Sequence, residues 1–230
     1  MIQGFVFDIG DTVDPSSRLQ KKVLQTLAEK YNLGNEFSRV YLKNDQQFHR
    51  PHLFHAAGDK TVLKQTLAQL KIDFDLDALL EEMQELFWRY DQAYFQENPE
   101  GQEWIATVHY LQQQNRLTAI ISDNSLAAKE KYLHQWREMG LEFDCFLVSE
   151  EVGAEKPDPI LFQTCQQILG LAPAELVYFG NNLDRDRAAL DQGWEFVWVY
   201  GLMDGVNPSL FEGKKIDLVS RSALKKLKLI

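Results

Sequence analysis

Five short apolar runs dominate the chain, at residues 4–8, 117–122, 143–149, 176–180 and 196–200. Each is mainly apolar over four to seven residues, the length and texture of a buried strand. Segments of helical periodicity at roughly 102–114, 125–139, 158–170 and 184–192 separate the last four runs and precede them. Strands alternating with helices must be joined by crossovers, so the strands run parallel. The expected fold class is α/β, a doubly wound parallel sheet with helices on both faces, three layers in all.

Between the first and second runs the texture differs. Asp14-Pro15 offers a helix start, and Leu19, Val23, Leu24 and Leu27 follow at helical spacing. Residues 61–70 repeat the pattern, and from Leu76 the series Leu79, Leu80, Met83, Leu86, Phe87 and Tyr90 marks one apolar face. Asn98-Pro99-Glu100-Gly101 then breaks it. Residues 1–13 with 97–230 therefore read as the α/β core, and 14–96 as an inserted helical domain. At the C-terminus Lys225, Lys226 and Lys228 alternate with Leu224, Leu227 and Leu229, which suits the solvated face of a closing helix.

Charge and composition narrow the partners. A net charge of -10 without a basic stripe repels polyphosphate backbones, so nucleic acid is not expected. No apolar stretch approaches the roughly 20 residues of a membrane span, and the N-terminus lacks a secretory pattern. A cytoplasmic protein without membrane partners is expected. Cys145 and Cys165 have no CxxC spacing and no adjacent histidines, which argues against zinc or redox chemistry and places both in the core. The five tryptophans, at 88, 104, 136, 194 and 198, are expected to pack. Oligomeric state has no signature here.

In an open parallel sheet ligands bind beyond the carboxyl ends of the strands. Asp8 follows the first run, Ser122-Asp123-Asn124 the second, and Gly180-Asn181-Asn182 with Asp184 and Asp186 the fourth; Lys156 lies in the loop after the third. These residues provide a nucleophile, a hydroxyl and amide cradle, a cation for anionic oxygens, and carboxylates for a divalent metal. That combination points to phosphoryl transfer by covalent catalysis.

Four stretches carry a closer likeness: FDIGDT at Phe7–Thr12, AIISDNS at Ala119–Ser125, EKPDP at Glu155–Pro159 and FGNNLDRD at Phe179–Asp186. In this order, at strand ends, they resemble the four motifs of the haloacid dehalogenase (HAD) superfamily of hydrolases, with residues 14–96 in the place of its helical C1-type cap. The resemblance implies a Rossmann-like core and a phosphatase of a small phosphorylated metabolite. Asp8 would attack phosphorus, Ser122 and Lys156 would hold the transferring oxygens, and Thr12 would support the loop. Mg²⁺ would lie between Asp8, the Gly10 carbonyl, Asn181 and Asp186. Asp123 and Asn124 would meet substrate, as would Arg50 from the cap.

Two positions depart from the family pattern. The aspartate that protonates the leaving group is replaced by Gly10, a loss of general acid-base help worth about 10²–10⁴ in rate. Asp11, one residue along, is expected to point elsewhere. Asn181 stands where a carboxylate usually binds the metal, so affinity for a hard cation should fall. Three readings accommodate both: a Mg²⁺-dependent phosphatase restricted to good leaving groups, a metal-independent 2-haloacid dehalogenase-like hydrolase with Arg39 or Arg50 receiving the halide, or a catalytically impaired binding protein. The segment FHRPHLFH gathers His49, His52 and His55 around Arg50, either as a substrate-facing loop or as an ordinary polar connection. Asp184 and Asp186 could equally place charge at a helix N-terminus.

Overall fold

The computed structural model describes residues 1–49 and 57–230. The chain divides into two compact units, Met1–Pro15 with Tyr94–Ile230, and Ser16–Ala93.

The first unit is built on a six-stranded sheet. Its strands are β1 (Gly4–Phe7), β2 (Leu117–Ser122), β3 (Cys145–Val148), β4 (Leu176–Gly180), β5 (Glu195–Val199) and β6 (Lys215–Ile216), in the order β3-β2-β1-β4-β5-β6. Every pairing is parallel. Phe7 lies opposite Ile120 of β2 on one side and Phe179 of β4 on the other. The chain runs outward from β1 to β3, then returns to the far side of β1 as β4. That reversal opens a crevice at the carboxyl ends of β1 and β4. All four residues of β1 and all five of β4 are buried, as continuous apolar runs require.

Helices cover the sheet, as the α/β reading requires. One core cluster joins Val6, Ile121, Cys145, Leu147, Phe162, Cys165, Tyr178 and Trp194. Elsewhere in the unit Trp136 is fully buried and meets Phe95, Trp104, Tyr132, Phe143 and Phe146 ring to ring. Both cysteines are free and buried.

The helical units that lead into the site are capped locally. α5, as numbered along the whole chain after α1 (Ser16–Lys30), α2 (Phe37–Asn44), α3 (Ala57–Leu70) and α4 (Leu76–Glu97), spans Pro99–Gln113. It begins three residues earlier than its periodicity suggests. Pro99 takes the first helical position, and the Asn98 side chain accepts the Glu100 N–H at 2.8 Å, so the same residues that stop α4 start α5. α6 (Leu126–Glu138) is capped by Ser125, α7 is the single turn Ser149–Val152, and α8 (Pro159–Leu169) is capped by Asp158. α9 (Arg221–Lys226) buries Leu224 and leaves its lysines outward. The segment expected as a helix at 184–192 is a 3₁₀ helix, Asp186–Gln192.

The second unit has its own core. Val23, Leu24 and Leu27 of α1 pack with Phe37 and Tyr41 of α2, Val62 and Leu63 of α3, and Leu79, Met83 and Leu86 of α4. The apolar series read from the sequence therefore forms one interior. No helix among the described residues is long and apolar enough to cross a membrane.

Candidate active site

The end of β1 delivers Asp8 into the crevice. Its backbone N–H still donates to Phe179 of β4 at 2.9 Å, so the residue is fixed by the sheet before its side chain is placed. The chain then turns sharply: the N–H groups of Thr12 and Val13 both donate to the Ile9 carbonyl. Asp11 takes the left-handed conformation of this turn, with φ 55°. An L-residue pays strain there, although aspartate tolerates it better than most. Asp11 thus holds the turn's special position while Gly10 precedes it. The Thr12 hydroxyl, buried, reaches the Asn181 amide oxygen at 3.4 Å and ties this loop to the end of β4.

Lys156 is the centre of the arrangement. Its side chain is 2% exposed, and its ammonium lies 2.8 Å from Asp8 Oδ1 and 2.7 Å from Asp186 Oδ1. Asp123 Oδ2 stands farther off at 4.0 Å, while Asp123 Oδ1 accepts the Lys156 backbone N–H at 2.8 Å. The Lys156–Pro157 peptide is cis, and Asp158 and Pro159 start α8 immediately afterwards. The third motif is therefore held from both sides, by Asp123 before and by a capped helix after.

Gly180 explains how Asp186 arrives. A Cβ at this position would lie 2.4 Å from the Asp186 carboxylate, so only glycine at the end of β4 lets the carboxylate pack against the backbone. Asp186 Oδ2 then accepts the Asn182 N–H at 2.8 Å, and Oδ1 faces Lys156. With 0% exposure and both oxygens engaged, Asp186 anchors the lysine.

The electrostatics follow from burial. Burial pushes Asp8 up to about 7, against the downward pull of the adjacent Lys156. Although burial opposes its charge, Asp186 and Asp8 hold the Lys156 ammonium well above the ordinary lysine value. Four carboxylates, Asp8, Asp123, Glu155 and Asp186, face two cations, Lys156 and Arg185. Two negative charges are left over, and a bound cation would favour the ionised form of Asp8.

Arg185 had no role in the sequence reading. It places Nη1 3.2 Å from Asp123, pairs Nη2 with Glu155, and donates from Nε to the Lys156 carbonyl at 3.2 Å. One guanidinium thus joins the second, third and fourth motifs, a use of its planar fork that lysine could not copy. Its position inside FGNNLDRD, beside acidic residues in three loops, was the available signal.

The remaining candidates fall in different places. Ser122 is buried at the end of β2, opposite Val148. Asn124 turns onto its own loop: its side chain accepts the Ser125 N–H at 2.9 Å and its carbonyl the Glu150 N–H at 3.2 Å. Asn181 is half-buried, and its carbonyl accepts the Trp198 indole N–H at 2.8 Å. Asp184 is exposed, its N–H bound to Asn182 Oδ1 at 3.1 Å. Arg39, in the helical unit, is 69% exposed and pairs with Glu36. Arg50, His52 and His55 lie outside the described residues, and His49 ends a π-helical turn, Asp45–His49.

Of the four residues expected to hold a metal, Asp186 has both oxygens engaged by Lys156 and the Asn182 N–H, which would leave oxygen donors from the Asp8 carboxylate, the Gly10 carbonyl and the Asn181 amide, the last already accepting from Thr12. Their hardness suits Mg²⁺, and their charge is low for it. No group of three His, Cys, Asp or Glu side chains that could hold a metal ion occurs among the described residues.

The family model for haloacid dehalogenase-like hydrolases matches residues 5–199, which include all four motif loops. The chain belongs to the haloacid dehalogenase-like hydrolases. Glyceraldehyde 3-phosphate phosphatase of Methanopyrus kandleri is 27% identical over 194 residues, 81% of this chain and 78% of that protein. The magnesium-bound structure of YfnB from Bacillus subtilis superposes with a TM-score of 0.73 at 18% identity, covering 100% of this chain and 99% of the other. L-2-haloacid dehalogenase from Xanthobacter autotrophicus gives 0.65 at 18% identity, over 98% and 99%. At such identities these two structures establish the shared fold. In this haloacid dehalogenase-like hydrolase Asp8 faces Lys156, and Gly10 and Asn181 are the two positions expected to depart from the family pattern.

Proposed function

We propose that the chain is a phosphatase acting on a small phosphorylated metabolite through covalent catalysis by Asp8. The observation that carries the reading is the buried Asp8–Lys156 contact, 2.8 Å, at the switch point of the sheet. The similarity to a glyceraldehyde 3-phosphate phosphatase supports it.

In the proposed reaction an Asp8 carboxylate oxygen forms a bond to phosphorus as the bond from phosphorus to the leaving oxygen breaks. Lys156 and the Ser122 hydroxyl hold the phosphoryl oxygens, where charge is spread in the transition state. Water then attacks the aspartyl-phosphate and frees Asp8. A Mg²⁺ ion held by Asp8, the Gly10 carbonyl and Asn181 would supply charge neutralisation for the phosphoryl group. Gly10 offers no proton to the leaving oxygen, so the favoured substrates carry oxygens that leave readily as anions, such as acyl or anomeric phosphates.

Of the two arginines nominated to receive halide, Arg39 is committed to Glu36 at the surface, which disfavours it for that role, and Arg50 lies outside the described residues. The likeness to a phosphatase is what favours the phosphatase reading. Its test is a set of phosphate esters and acyl phosphates of graded leaving-group acidity, with and without Mg²⁺, on the native chain and Asp8→Asn. Metal-dependent turnover that rises with leaving-group acidity and vanishes in Asp8→Asn is expected. A native chain inert toward acyl phosphates would overturn the proposal.

A further inference from the structure

Tyr178 belongs to the interior of β4, where an apolar side chain would serve the core equally well. Its ring is fully buried and meets Phe162 edge to face at 5.4 Å. A phenol in such a place needs partners for its hydroxyl. It donates to the Ile121 carbonyl of β2 at 3.0 Å. A hydroxyl has one proton, so this donation turns the oxygen lone pairs toward Lys156 Nζ, also at 3.0 Å.

The consequence appears on the lysine. An ammonium has three protons, and Lys156 has three acceptors within 3.0 Å: Asp8 Oδ1, Asp186 Oδ1 and the Tyr178 hydroxyl. Asp8 and Asp186 supply charge. Tyr178 supplies a neutral oxygen, so the third proton is satisfied without adding a third carboxylate to a buried site. Asp186 reaches Lys156 from the 3₁₀ turn, Asp8 from β1, and Tyr178 from β4, and three separate directions define one position for the nitrogen.

We propose that Tyr178 is a positioning residue for the hydrolytic site: its hydroxyl, oriented by the Ile121 carbonyl, aims the Lys156 ammonium at the carboxylate of Asp8. The proposal rests on the reading of Asp8 and Lys156 as the catalytic pair. Loss of the hydroxyl leaves one ammonium proton without its protein acceptor in a buried site, and the nitrogen then shifts between Asp8 and Asp186.

Tyr178→Phe removes one oxygen and no carbon, so it probes the contact without opening a cavity. Trinitrobenzenesulfonate labelling followed by peptide mass spectrometry measures the mobility of each lysine, with half-buried Lys215 as internal control. In the native chain Lys156 should label more slowly than Lys215. In Tyr178→Phe it should label about threefold faster or more with Lys215 unchanged, and kcat on acetyl phosphate should fall roughly tenfold with KM nearly constant. Equal labelling of Lys156 in the two chains, or a uniform acceleration of Lys156 and Lys215, would overturn the proposal. Equal rates for Lys156 and Lys215 in the native chain would do the same, whatever the variant's folding yield. Absence of turnover in the native chain would instead sink the phosphatase reading, and the labelling comparison would still stand.

Discussion

Lys156 Nζ and Asp186 Oδ1 lie 2.7 Å apart with side-chain exposures of 2% and 0%. An ion pair so buried is weak evidence of net stabilisation, because desolvation costs about as much as attraction returns, yet breaking one side of it is expensive. Its use here is to hold a lysine beside Asp8.

Asp186→Asn keeps the shape packed under Gly180 but can accept from only one of the Asn182 N–H and Lys156, and it removes the charge facing the ammonium. Stability should fall by about 2–3 kcal/mol, since the ammonium keeps only Asp8 in close contact, with Asp123 farther off at 4.0 Å. Urea unfolding followed by fluorescence of the buried tryptophans measures this. A change below about 0.5 kcal/mol would mean that the pair does not hold the lysine.

The residues at positions 10 and 11 make a second prediction. Asp11 bears the left-handed φ of 55°, so the double change Gly10→Asp with Asp11→Gly puts glycine where the turn needs it and returns a carboxylate two residues beyond Asp8. The pair should raise kcat on poor leaving groups by about 10²-fold while leaving acyl phosphates little affected. Parallel kinetics on an alkyl and an acyl phosphate separate the two effects. Equal gains on both would point away from a missing acid.

Asn181→Asp adds a charge to a proposed donor set whose one carboxylate, Asp8, also faces Lys156. Mg²⁺ affinity, measured by isothermal titration calorimetry on the native and altered chains, should rise by about tenfold or more. Unchanged affinity would show that position 181 does not face the ion. Chelation by EDTA should abolish turnover of the native chain and leave its unfolding midpoint almost unmoved, because both cores are built from apolar side chains.

Arg185 is 28% exposed on its side chain, so its three contacts are partly screened. Arg185→Lys keeps the charge and loses the fork that spans Asp123, Glu155 and the Lys156 carbonyl. Stability should drop by about 1 kcal/mol, and turnover should fall more than that change accounts for, because the second and third motifs are no longer tied together. A chain with native kcat would restrict Arg185 to the surface.

Much of the core was readable along the chain. The runs at 4–8, 117–122 and 176–180 are continuous because both faces of those strands are covered, and β1, β2 and β4 occupy nearly those positions. Asp8 and Asn181 could be placed at strand ends for the same reason. β6 could not be anticipated, because Lys215–Ile216 is too short for any period to show. The 3₁₀ geometry of Asp186–Gln192 was also hidden: its apolar spacing resembles that of an α-helix, and the anchoring of Asp186 beneath Gly180 is a long-range matter.

Local patterns settled which segments become strands, where the helices are capped and which chemical groups stand at the loops, since burial periodicity and capping act over a few residues. The partners of those groups came from the parallel register of β1 between β2 and β4. That register brings the Ile121 carbonyl to the Tyr178 hydroxyl, and Tyr178 with Asp186 meets one lysine from another part of the chain; no neighbouring residue specifies it. Distances of 2.7–3.0 Å inside a buried crevice arise only when segments far apart in sequence pack together, and those distances turn a list of polar residues into a site.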